Sequence, residues 1–247
     1  MPNGRGRHFL PAVLLLAGLS VWAPLAAGGA EAGETAGTKI VVVLDPGHGG
    51  EDAGLKPASA GLVEKEFTLK VAQELKTLLT REGLLTVWLT RAKDQALSLN
   101  ARQSFANAKN AQVFVSLHAS ERGPGHPEVF VFTHRVGSDE ALKELAGQAK
   151  DSGIPAVPWD QAQAPEKSQS RALAKALAQA WEAAHESGAP AVHVQEVPLG
   201  VLTGVKAPAV LVEMPLPEGT GVKAKDAACR QAARILATGI RDFLDRR

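Results

Sequence analysis

The chain predicts an α/β fold: a single domain on a mostly parallel, twisted sheet of about six strands with helices on both faces. Two observations carry this. Short apolar runs, Ile40-Val41-Val42-Val43-Leu44, Val113-Phe114-Val115 and Ala209-Val210-Leu211-Val212, have the length and β-branched content of buried strands. Between such runs lie longer segments whose apolar residues recur at helical spacing, and a strand–helix alternation of this kind builds a sheet covered on two sides. With 247 residues, 45% hydrophobic and 21% charged, there is enough apolar material for one well-buried domain, and no second domain is needed.

In chain order, the first strand spans 39–44 and leads through a glycine turn at His48 into a loop ending at Glu64. Phe67, Val71, Leu75, Leu78 and Leu79 then form one face of a helix over 66–82, which Gly83 ends. A strand over 85–90 follows. Ser98 is a suitable N-cap for a helix reaching Ala108. Strands over 113–117 and 129–133 flank the loop Glu121-Arg122-Gly123-Pro124-Gly125. Next come a helix over 138–150, a Pro- and Gln-rich loop over 152–167, an alanine-rich helix over 168–187 and a loop bearing Pro190 and Pro198. A strand over 208–212 and a helix over 223–245 complete the domain.

Residues 1–37 stand apart from that pattern. Arg5, Arg7 and His8 precede an apolar stretch from Phe9 to Ala27, and small residues follow, with Ala30-Glu31-Ala32 a small-x-small cleavage site. This is the pattern of a secretory signal peptide with a flexible lead-in; an uncleaved membrane anchor is the alternative. Export to a periplasm or an extracellular wall is therefore expected. Cys229 is the only cysteine, so no internal disulfide forms, and its place on an amphipathic helix reads as a small buried hydrophobe. A formal net charge of +1 gives no basic stripe of the kind a nucleic-acid partner needs.

Parallel strands share a direction, so side chains leaving their carboxyl ends converge on one crevice although far apart in sequence. The first run ends in Asp45-Pro46-Gly47-His48-Gly49-Gly50, the 113–117 run in His118 and the 208–212 run in Glu213. Two imidazoles and a carboxylate make a donor set for catalytic zinc, with a fourth position left for water. If Glu213 is kept as a base, the third ligand belongs near His48. Glu64 and Glu66 lie where the loop becomes a helix, and Glu64 is the choice.

These residues fall in an ordered set of motifs that resembles the zinc-dependent N-acetylmuramoyl-L-alanine amidases, the peptidoglycan amidases of the amidase-3 type. The likeness runs from about Lys39 to the C-terminus. In that family D-P-G-H-G-G supplies one histidine ligand, G-L-x-E-K-D the glutamate ligand and S-I-H-A the second histidine. Their counterparts here are His48, Glu64 within Gly61-Leu62-Val63-Glu64-Lys65-Glu66, and His118 within Ser116-Leu117-His118-Ala119. Pro208-Ala209-Val210-Leu211-Val212-Glu213 matches the family's P-A-V-L-V-E, whose glutamate is catalytic. Thr90-Arg91, Asp94, Arg102 and Ala106-Asn107 also stand where the family has T-R-x-x-D and a helix with R and A-N.

The resemblance implies hydrolysis of the amide between the lactyl group of N-acetylmuramic acid and L-alanine. It makes peptidoglycan the partner of a monomeric catalytic domain over 38–247 that carries one zinc per chain. Glu213 would accept the water's proton and pass it to the leaving amine. In some relatives a helix in the part equivalent to 137–167 covers the zinc until moved, so an activator protein is a further partner the resemblance admits. Asp45 is expected to orient His48 or cap its turn, Glu66 to cap its helix, and Arg91 to form a structural ion pair. His126 and His134 lie beyond the second histidine and read first as solvated loop histidines, with contact to substrate as the alternative. The chain departs from the family after Glu213, reading Met214-Pro215-Leu216-Pro217-Glu218-Gly219 for L-G-F-x-S-N, and has Ser120 and His126 where the family has asparagine and glycine. A zinc peptidase cutting within the stem peptide and a silent wall-binding regulator are the rival readings.

Overall fold

A computed structural model of the protein describes residues 39–56, 62–81, 83–120, 128–137, 161–185, 191–217 and 221–247. Its strands are β1 (Ile40–Pro46), β2 (Leu85–Leu89), β3 (Val113–Ser120), β4 (Glu128–His134), β5 (Ala191–Val197) and β6 (Ala209–Pro215). The helices are α1 (Glu64–Thr80), α2 (Leu99–Ala108), α3 (Lys167–Ala183), the single turn α4 (Gly200–Thr203) and α5 (Val222–Asp245). All six strands form one sheet in the order β2-β1-β3-β6-β4-β5. β1 pairs in parallel with β2 and β3, β3 with β6, and β4 with β5, while β4 runs antiparallel to β6. The reversed β4–β5 pair is what makes the sheet mixed.

Helices cover both faces, as the alternation predicts. Val42, Leu44, Val115, Leu117, Val210 and Val212 meet α1, α3 and α5 on one side, where Phe67, Val71, Leu75, Leu173, Leu177, Leu236 and Phe243 close the larger core. Val43, Phe114, Ala209 and Leu211 meet Ala106 of α2 and Val201 and Leu202 of α4 on the other. Successive residues of β1, β3 and β6 are thus buried on opposite faces, which explains why these strands read as unbroken apolar runs. Cys229 lies in the larger core and is 2% exposed. Among the described residues no helix is long and apolar enough to cross a membrane.

Several boundaries differ from expectation. The segment 191–197, expected as part of a loop, is the edge strand β5. Its Val192-His193-Val194-Gln195 alternation is the mark of a half-exposed strand, and the flanking Pro190 and Pro198 bound it rather than exclude it. Helix α1 begins at Glu64, two residues early, with Val63 as N-cap and no side-chain capping bond, so Glu66 does not cap it; Glu66 stands exposed in the first turn, where it still favours the helix dipole. Ser98 caps α2 as expected, its hydroxyl accepting from the Ala101 amide at 3.2 Å. The leader over 1–37, His126, the helix expected over 138–150 and Glu218-Gly219 lie outside the described residues.

The connections position the site. From β1 the chain leaves by α1 on one face to reach β2, then returns by α2 on the other face to β3, which lies on β1's opposite side. β1, β3 and β6 are parallel neighbours, so their carboxyl ends lie side by side, the place where a sheet of this kind keeps its crevice.

Candidate functional site

His48 and His118 stand at that crevice, with ring centroids 4.9 Å apart and planes at 78°. Glu64, only 4% exposed, reaches them from the first turn of α1. Its Oε1 lies 3.0 Å from His48 Nε2 and 2.9 Å from His118 Nδ1. Oε1 also accepts from the Ala119 amide at 3.0 Å, and Oε2 from the Leu55 amide at 2.9 Å. Burial alone would raise this carboxyl, but the bonds from His118, His48 and the two amides outweigh it and hold Glu64 far below the usual carboxylate range. The group is an anion fixed in direction.

Each imidazole is oriented by a different device. His48 Nδ1 donates to Asp52 Oδ2 at 2.8 Å, which turns Nε2 inward. The Glu64 hydrogen bond, opposed by burial and helped by Asp52, raises the His48 imidazole above its ordinary value. The His118 ring lies against Gly47, where an added Cβ would come within 2.5 Å of it. Gly54, at φ +63°, packs as closely: a Cβ there would meet both Glu64 Oε2 and the His48 ring at 2.5 Å. His48 itself holds φ at 60°, a left-handed backbone that costs a non-glycine residue roughly 1 kcal/mol or more.

Two buried arginines hold that strained turn. Pro46 O accepts from Arg91 Nε at 2.9 Å and from Arg102 Nη1 at 2.8 Å. Gly47 O accepts from Arg91 Nη2 at 2.7 Å and from Thr68 Oγ1 at 3.1 Å, and His48 O from Arg102 Nη2 at 2.9 Å. Arg91 thus grips carbonyls, not the carboxylate partner expected of it; desolvation, reinforced by Arg102, lowers its pKa. The carboxylate partner of this pair is Asp45, fully buried, which accepts from Arg102 at 2.7 Å, Thr90 Oγ1 at 2.5 Å and Ser116 Oγ at 2.8 Å. Asp45 supports the turn through Arg102, and the residue touching His48 is Asp52. Outside, Lys65 Nζ bridges Gly50 O and Asp94 Oδ2 at 2.8 and 2.6 Å.

Glu213 is half-buried on β6, directly opposite His118 in the β3–β6 register. Both strands continue past these residues, to Ser120 and Pro215, so the pair is held by sheet pairing and not by loop ends. In the divergent segment, Met214 and Leu216 are buried in the larger core and Pro215 is half-exposed. His134 is buried at the end of β4, where its Nδ1 accepts from the Leu199 amide at 3.2 Å. It takes a structural role there.

His48, Glu64 and His118 offer donor atoms within 4.8 Å of one another, a group that could hold a metal ion. Ligands ~2.0–2.1 Å from a common tetrahedral ion stand roughly 3.3 Å apart, near the 2.9 and 3.0 Å separations of Glu64 from the two imidazoles. The donors suit a first-row divalent ion such as zinc. Sequence reasoning missed Asp52 as the histidine's partner, although an aspartate four residues on in a glycine-rich turn was the signal.

A family model described as N-acetylmuramoyl-L-alanine amidase matches residues 42–219. The chain is 30% identical over 231 residues to the amidase AmiC of Neisseria meningitidis, an alignment covering 85% of this chain and 54% of that protein. It is 37% identical over 110 residues to AmiC of Escherichia coli, covering 43% and 26%. The chain therefore spans about a quarter to half the length of these curated relatives. Of solved structures, the catalytic domain of CwlV from Bacillus (Paenibacillus) polymyxa var. colistinus matches with a TM-score of 0.58 at 25% identity, covering 83% of this chain and 98% of that one. The CwlD amidase of Clostridioides difficile, solved in complex with the GerS lipoprotein, shares the fold with a TM-score of 0.61 at 19% identity, covering 85% and 100%.

Proposed function

Since the chain belongs to the N-acetylmuramoyl-L-alanine amidase family, we infer that it hydrolyses the amide between N-acetylmuramic acid and L-alanine in peptidoglycan, releasing stem peptides. The observation that carries this reading is the convergence of His48, Glu64 and His118 one strand away from Glu213. His48 through Nε2, Glu64 through Oε1 and His118 would hold one zinc ion. When bound, such an ion supplies Lewis acidity toward water and toward the scissile carbonyl. The chain's own residues do the remainder. Asp52 keeps the His48 proton on Nδ1, leaving the Nε2 lone pair directed inward. The Ala119 and Leu55 amides keep Glu64 ionised in a buried place. Glu213 takes the proton of the attacking water and returns it to the departing alanine amine, so one carboxylate serves as base and then acid.

Substrate and relatives support a protein that works outside the cytoplasm, in a periplasm or wall; the CwlD neighbour was solved with a lipoprotein bound, which is in keeping with a protein partner for this fold. The test is mass spectrometry of peptidoglycan digested by the zinc-supplemented protein. Intact stem peptides beginning at L-alanine are expected. Fragments cut inside the stem would replace the amidase reading by a peptidase, and zinc binding without product would favour a silent wall-binding protein.

A further inference from the structure

Two of the three candidate ligands sit on separate pieces of chain. His48 belongs to the glycine turn after β1 and Glu64 to the first turn of α1, and the short segment after β2 bonds to both pieces. Arg91, 1% exposed, makes the inner contact. Its Nη2 donates to Gly47 O at 2.7 Å and to Lys65 O at 2.8 Å, so a single nitrogen spans the residue before His48 and the residue after Glu64. Asp94 makes the outer contact. Its Oδ1 accepts from the Gly50 amide at 2.7 Å and its Oδ2 from Lys65 Nζ at 2.6 Å, while Lys65 Nζ also donates to Gly50 O at 2.8 Å. The amide and the carbonyl of Gly50, just beyond His48, are thereby held by a pair whose lysine adjoins Glu64. Gly50 has φ at +64°, and an added Cβ would stand 2.9 Å from the Ala96 nitrogen, so the turn also rests on the backbone that follows Asp94. All of these bonds end on backbone or on one another, and none of them ends on an imidazole or on the Glu64 carboxylate.

We propose that Arg91, Lys65 and Asp94 are positioning residues that fix His48 and Glu64 at one separation and thereby set the affinity for zinc. The proposal rests on the reading that His48, Glu64 and His118 hold the ion. Glu64 Oε1 and His48 Nε2 already stand 3.0 Å apart, close to the roughly 3.3 Å between neighbouring ligands of a tetrahedral ion. Ligands held there in advance lose little further freedom when the ion binds, and affinity rises accordingly. The turn needs such support, since its backbone is left-handed at His48 and at Gly50, and a histidine keeps that conformation only where its surroundings impose it. The outer contact is the more open one, the Lys65 and Asp94 side chains being 17% and 53% exposed. An ion pair so placed adds little to global stability. Its effect belongs to the site, because it closes on Gly50 between the two ligand-bearing segments.

The test is the zinc affinity of the full chain, read by competition with a chromophoric chelator, beside the melting temperature of the metal-free protein. Lys65→Met and Asp94→Ala open the outer contact and leave the buried Arg91 in place. Each is expected to weaken zinc binding about ten-fold, as loss of a group that orients a ligand does. The effects of the two are expected to fall short of additive in the double variant, because both residues act on the same Gly50. Asp94→Asn, which still accepts from the Gly50 amide, is expected to recover much of the loss. Lys70→Met is the control. It breaks the Lys70–Asp226 ion pair farther along α1 and is expected to shift the melting temperature comparably while leaving zinc affinity unchanged. Wild-type zinc affinity in both Lys65→Met and Asp94→Ala, or an equal loss of affinity in Lys70→Met, would overturn the proposal. A wild type that takes up no zinc would overturn the metal reading and the proposal with it, so the wild type alone tells the two failures apart.

Discussion

Glu64 concentrates the electrostatics of the site, and two titrations follow from its contacts. Its carboxyl is depressed from an ordinary 4.5, so it contributes stability above that value that is lost as pH falls through the lower folded value. His48 is raised from 6.5, so its contribution is complete below 6.5 and is lost as pH rises through the higher folded value. The two windows overlap between about 4.5 and 6.5. Chelator-treated protein is accordingly expected to melt at a higher temperature at pH 6 than at pH 8.5, and Glu64→Gln to abolish most of that difference; scanning calorimetry reads both. Metal affinity is expected to run the other way, since ligation would require His48 to lose its proton and would strengthen as pH rises. Cys229 is a simpler case. Burial pushes its thiol up to about 11, so a thiol reagent at pH 8 is expected to leave the folded chain unmodified and to label one site once urea unfolds it.

The β1 turn shows where sequence reading stops. Its histidine, its glycines and its place at a strand end are all legible, because an apolar run that closes in glycines and a histidine has few other interpretations. Its supports are not. Arg91 and Arg102 bind the carbonyls of Pro46, Gly47 and His48, and backbone acceptors carry no residue-type signal. An expected ion pair thus proves to be a clamp on the backbone, with Asp45 engaged to Arg102 from below. Asp45→Ala would leave two buried guanidinium groups without that carboxylate, and a loss of about 3–5 kcal/mol is expected from chemical denaturation. A cost under about 1 kcal/mol would show that water or rearrangement replaces Asp45. Strand β5 was hidden for another reason: an edge strand has one neighbour and a wet face, so its alternation is weaker than the continuous runs of β1, β3 and β6.

Across the whole molecule, the strand order makes the site. Because β1, β3 and β6 are parallel neighbours, their carboxyl ends lie side by side before any side chain is chosen, and β6 beside β3 brings Glu213 to the two histidines. The alternation of elements was enough to predict the sheet and its two helical layers. The reversal of β4 and β5 was not legible, since strand direction depends on connections and not on composition. That reversal sets Phe130 of β4 opposite Glu213. The central claim is a division of labour: His48, Glu64 and His118 hold the metal, and Glu213 moves the proton without holding it. The measurement that tests it is zinc content, by plasma mass spectrometry, together with stem-peptide release for wild type, Glu64→Gln and Glu213→Gln prepared side by side. The account predicts one zinc in the wild type and in Glu213→Gln, little in Glu64→Gln, and product from the wild type alone. Loss of zinc from Glu213→Gln, or release of stem peptides at the wild-type rate by either variant, would contradict it.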